Sequence, residues 1–94
     1  MMNQEQKKQA VTRLKRIEGQ IRGLQKMVEK DRYCIDILTQ TASVVSALKG
    51  VEDLVMGQHL QTCVADAMRS NDMHKQQDKI DEVMTVLSKF RKHG

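Results

Sequence analysis

Ninety-four residues with a net charge of +4, no Pro, no Trp, one Phe and one Tyr make a single domain, residues 1–94, with only a thin core of its own. No apolar run approaches the roughly 18 residues that a bilayer span needs, and no apolar stretch with a small-residue cleavage site opens the chain; a cytoplasmic protein is expected, its two cysteines reduced thiols rather than a structural disulfide. Amphipathic helices with so little aromatic filling complete their cores by association, and the scarcity of aromatics argues against base stacking on single strands.

Residues 4–30 form the first expected helix. Val11, Leu14, Ile17, Ile21, Leu24 and Val28 recur every three or four residues on one face, the pattern of a bundle seam. Lys8, Lys15, Arg22 and Lys26 lie on the opposite face, with Thr12, Arg16, Gly19 and Gly23 beside them. Charge is uneven: residues 1–30 carry eight basic and three acidic side chains, residues 31–72 three and six, residues 73–94 five and three. A basic first helix points to an anionic partner. A helical glycine costs about 1 kcal/mol relative to Ala, so two of them on the basic face point to close approach of a bulky surface such as a phosphate backbone.

Lys30-Asp31-Arg32 reads as a short break, with Asp31 the expected N-cap of the next helix. From Tyr33 to about Asn71 the apolar spacing is helical without a Pro: Ile37, Leu38, Val44, Val45, Leu48, Val51, Val55, Leu60, Val64, Ala67 and Met68. A bend or loosening is expected near Gly50 and Gly57. Ser70-Asn71-Asp72 stops the helix, Met73 to Gln77 reads as a polar connector, and residues 77–92 as a third helix with Ile80, Val83, Met84, Leu87 and Phe90 on its apolar face.

The long helix carries the chemistry. His59 and Cys63 follow Cys34 by 25 and 29 residues, which at 3.6 residues per turn leaves them about 20° to either side of it. The three soft ligands share one face, yet rise per residue separates the two ends by roughly 38 Å. Two copies crossing antiparallel near residue 48, where Ala42, Ser43, Ser46, Ala47 and Gly50 are small, would bring Cys34 of one to His59 and Cys63 of the other, twice per two-fold dimer. The expected fold is therefore all-α: a three-helix protomer with a long central helix, an antiparallel dimer, and a dimer of dimers.

Two thiolates and one imidazole in a three-coordinate site suit Cu(I), one ion per protomer bridging two protomers. Zinc would need a fourth ligand, and nickel or cobalt more nitrogen and oxygen donors. His74 and His93 lie off this face and are expected in solvent. An enzyme is not expected. There is no Gly-rich phosphate loop, nucleophile elbow or paired-carboxylate cleft, and the Cys-His couple has no evident substrate pocket.

The run Arg13-Leu14-Lys15-Arg16-Ile17-Glu18-Gly19-Gln20-Ile21-Arg22-Gly23, then Asp31-Arg32-Tyr33-Cys34-Ile35-Asp36-Ile37-Leu38, then His59 and Cys63-Val64-Ala65-Asp66-Ala67 resembles the copper-sensing operon repressors (CsoR-like) along essentially the whole chain. The resemblance implies a tetrameric repressor without a helix-turn-helix. It would bind operator DNA when metal-free and release it with Cu(I), derepressing copper-resistance genes. It matches Cys34 of one protomer, with His59 and Cys63 of the partner, to the family's ligands. Tyr33 corresponds to a supporting tyrosine. A supporting glutamate falls on Glu82 if the 73–77 segment holds a short insertion, and on Lys79 without one; Glu82 fits the helix pattern. The nickel and cobalt branch would carry His at position 63 and near the N-terminus, the persulfide branch lacks the His, and the formaldehyde branch lacks the second Cys. Joined to the charge pattern, the resemblance assigns operator phosphates to Arg13, Lys15, Arg16, Arg22 and Lys49. Two other readings stand beside it: a thiol-based sensor of persulfides or electrophiles on the same fold, and a metal-buffering helical oligomer with no DNA role.

Overall fold

The computed structural model describes residues 2–93, and the side chains as far as Phe90; the expectation for His93 lies outside the described side chains. Every regular element among these residues is helical, in the order α1 (Gln4–Glu29), α2 (Cys34–His59), a five-residue π-turn (Leu60–Val64), α3 (Ala65–Arg69) and α4 (Met73–His93). They fall into two compact units, Met2–Met56 and a second beginning at Gly57.

In the first unit α1 starts where Asn3 can cap it. The Asn3 side chain accepts from the Gln6 N–H at 2.8 Å, and the Gln6 side chain accepts from the Asn3 N–H at 2.9 Å, a reciprocal capping box that satisfies two otherwise unpaired donors. The far end corrects the role expected of Asp31. Its φ of 53° is left-handed, its N–H donates to the Val28 carbonyl, and the Arg32 N–H donates to the Met27 carbonyl. Asp31 thus closes α1 in a Schellman turn and does not cap α2, because Asp tolerates the left-handed region better than most residues. The Tyr33 carbonyl instead accepts from Asp36 and Ile37 at the start of α2.

Ile17, Val44 and Val51 are buried together, with Leu24, Ala47 and Val55 packed against them. The rest of the predicted α1 seam stays open: Val11, Leu14, Ile21 and Val28 remain between 43 and 59% exposed. Two crossing helices touch along one line, whereas an apolar stripe spans about 100° or more.

The long helix is also corrected in detail. Helical backbone runs from Cys34 to Arg69, but α2 passes regularly through Gly50 and Gly57, and the departure from α geometry comes later, at Leu60–Val64. In the second unit α4 begins at Met73, four residues ahead of expectation. Asp72 explains the difference: its carboxylate accepts from the N–H groups of His74 at 2.9 Å and Lys75 at 3.3 Å. The residue that stops one helix caps the next. Gln76 ties the corner, its side-chain amide donating to the Ser70 carbonyl at 2.8 Å, and α4 packs on α3 and the π-turn.

Candidate metal centre

The start of α4 fixes which residues on it meet His59. With Asp72 as cap, Lys79 and Glu82 lie three apart on one face of α4, and Glu82 Oε1 comes 2.7 Å from His59 Nε2. Lys79 Nζ donates to the other carboxylate oxygen at 3.4 Å. Of the two positions the sequence offered, Glu82 is the one whose carboxylate reaches the imidazole, and Lys79 holds that carboxylate from the far side. The His59–Glu82 approach is short but lacks hydrogen-bond alignment, so the buried Nε2 has a charged neighbour rather than a bonded acceptor. It leaves Nδ1 as the ring's remaining donor atom.

Cys63 sits inside the π-turn as a half-buried free thiol, and Cys34 opens α2 as an exposed one. The Thr62 hydroxyl lies 3.8 Å from Cys63 Sγ. Tyr33 is 69% exposed, and its phenol takes part in none of the side-chain hydrogen bonds among the described residues. His74 is exposed at the start of α4. No group of three His, Cys, Asp or Glu side chains comes together to hold a metal among the described residues of one chain. As a donor set, two free thiols and an imidazole with one nitrogen against a carboxylate fit a soft monovalent ion.

The basic residues separate into three environments. Arg13 donates to the Gly50 carbonyl at 3.4 Å and, with Arg16, Gln20 and Ala47, lines a cavity of about 300 Å³ between α1 and α2. Arg22 pairs with Glu18 at 3.1 Å on an exposed face. Lys15 and Lys49 are exposed and make no ion pair among the described residues. A Cβ added at Gly23 would meet nothing within 4 Å, so the chain's own packing does not require that glycine. Sequence reasoning missed three features near the thiol and imidazole: the π-turn, the Thr62 contact, and the Lys79 clamp on Glu82. Only the last had a signal, the i, i+3 spacing of opposite charges.

Residues 6–89 match the family described as "Metal-sensitive transcriptional repressor". The copper-sensing transcriptional repressor CsoR of Bacillus subtilis is 48% identical over 87 residues, covering 93% of this chain and 83% of the relative. The copper-sensing transcriptional repressor RicR of Mycobacterium tuberculosis is 47% identical over 64 residues, 68% of this chain and 67% of the relative. Among solved structures, the copper-sensing repressor CsoR with Cu(I) from Geobacillus thermodenitrificans superposes with a TM-score of 0.87 at 41% identity, over 97% of this chain and 92% of that one.

Proposed function

This chain belongs to the metal-sensitive transcriptional repressors, and from that membership we propose a Cu(I)-responsive repressor that holds operator DNA when metal-free and releases it when Cu(I) binds. The observation that carries the reading is the donor set around His59. A half-buried free thiol lies four residues from an imidazole whose Nε2 faces Glu82, and among the described residues of the same chain no group of three metal-ligating side chains forms. Cys34 of a partner protomer supplies the third donor in an antiparallel dimer, one Cu(I) per protomer, and dimers pair into a tetramer. The apolar surface left on α1 and α2, including Leu14, Ile21, Leu38 and Val45, supports such an assembly.

Bound there, Cu(I) would supply a soft Lewis-acid link between two protomers. The chain's own residues do the rest. His59 and Cys63 present donors from the π-turn and its edge, while Glu82 connects His59 to α4. Tension on that connection moves α4 together with the residues packed on it and depopulates the DNA-competent arrangement. Arg13, Lys15, Arg16, Arg22 and Lys49 neutralise operator phosphates, which makes the affinity fall steeply with salt. By linkage, DNA weakens Cu(I) binding by the factor with which Cu(I) weakens DNA binding. A protein that acts on DNA in this way works in the cytoplasm. Consistent with that, no helix among the described residues is long and apolar enough to cross a membrane, and the matched relatives are named as repressors rather than enzymes.

The test is a Cu(I) titration of the reduced protein against a competing chelator, in the wild type and in Cys34→Ala. One tightly held Cu(I) per protomer, weakened by orders of magnitude in the variant, is the expected result. Binding indifferent to Cys34 would remove the intersubunit site and leave direct thiol sensing as the better account.

A further inference from the structure

We infer that Thr62 is a positioning residue for the His59–Cys63 pair, holding the π-turn open through its hydroxyl and standing as the hydrogen-bond partner of Cys63 Sγ. The inference rests on the copper reading above and names how the chain shapes that site. In α geometry, residues four apart diverge by about 40° around the helix axis. Here the Ala65 N–H reaches the Leu60 carbonyl five residues back, so the turn that carries Cys63 closes with an additional residue. A wider turn carries Cys63 less far around the axis and back toward the line of His59. Isolated π-turns recur at functional sites because they re-aim side chains in this way.

Thr62 sits within this turn, beside the backbone bond from Ala65 to Leu60 that closes it. Its hydroxyl donates to the Gln58 carbonyl at 2.7 Å. Thr39, Thr41 and Thr85 make the same kind of bond in regular α-helix, but there it is longer and exposed; such bonds distort helices locally. The Thr62 oxygen also lies 3.8 Å from Cys63 Sγ. One hydroxyl therefore touches both the backbone just before His59 and the sulfur just after itself. It is the one hydrogen-bonding side chain at Sγ among the described residues. Groups that orient a ligand without touching the metal change affinity by about 10- to 100-fold when removed.

The experiment compares wild type, Thr62→Val and Thr62→Ser as full-length reduced proteins. Val keeps the size and branching and deletes the hydroxyl; Ser keeps the hydroxyl. In the metal-free state the Ala65 amide should exchange with solvent about tenfold faster in Thr62→Val and at the wild-type rate in Thr62→Ser. Against a chelator, Cu(I) affinity should fall about tenfold or more in Thr62→Val and recover in Thr62→Ser. Wild-type behaviour of Thr62→Val in either measurement overturns the inference, as does a serine variant as impaired as the valine one. Should Thr62→Val fail to fold, Thr62→Ala deletes the same hydroxyl without added bulk and is judged by the same criteria. Failure of the wild type to hold Cu(I) through Cys63 would defeat the copper reading instead, and amide exchange would still decide the role of Thr62 in the turn.

Discussion

At the scale of single residues, the informative positions are those where one side chain serves two partners. Glu82 turns one oxygen toward His59 and the other toward Lys79, so the contact with His59 is what ties the imidazole to α4, with Lys79 steadying the carboxylate. Glu82→Ala is therefore expected to retain Cu(I) within about tenfold of wild type while losing most of the Cu(I)-driven release of DNA, a coupling of typically 5- to 150-fold. Gel-shift titrations with and without Cu(I) check it, and equal loss of both properties would count against the connection. Asp31 has a simpler expectation. In the left-handed region glycine lacks the Cβ penalty, so Asp31→Gly should stabilise the fold by up to about 1 kcal/mol in urea unfolding; a loss would mean that the Asp side chain compensates for its own strain. Cys34, His59 and Cys63 could be singled out as candidate ligands because ligand chemistry belongs to the residue type and a helix makes their spacing countable. The role of Asp31 was not, since the same side chain suits an N-cap and a left-handed C-terminal turn.

At the scale of elements, helix existence was legible and helix punctuation was not. The apolar spacing located α1, the long central stretch and the last helix. Asp72 was readable as a stop, but its carboxylate also starts α4, which turned the expected connector at 73–77 into a helical turn. The π-turn escaped because apolar periodicity averages over many residues, and one additional residue in a single turn barely disturbs it. The glycines of α1 give this scale its prediction. With open space around Gly23, Gly23→Ala should stabilise the metal-free protein by about 1 kcal/mol in thermal or urea unfolding. If a phosphate backbone approaches that face, the same variant should bind operator DNA more weakly despite its greater stability. Gains in both would place the DNA elsewhere.

At the scale of the whole molecule, the sequence pointed beyond the single chain, and the protomer carries the reason on its surface. A bundle seam was legible on α1, yet most of it stays open while Ile17 alone of that seam is buried, because one neighbouring helix cannot cover a wide stripe. In the proposed assembly a second chain covers it, and periodicity gives no address for that contact. The same division governs the proposed ligands: among the described residues of one chain, no three His, Cys, Asp or Glu side chains gather to hold a metal. In genetic terms, a site shared between two protomers would make the copper-sensing unit a pair of alleles rather than a gene copy. On the proposed site, Cys34→Ala and Cys63→Ala chains would each be blind alone, but a mixed dimer would carry one site with all three donors intact and one lacking two. Cells expressing both variants should recover part of the copper response on a reporter that neither variant rescues by itself. Failure to complement, with mixed dimers present, would count against a sensing site shared between Cys34 of one chain and His59 and Cys63 of the other.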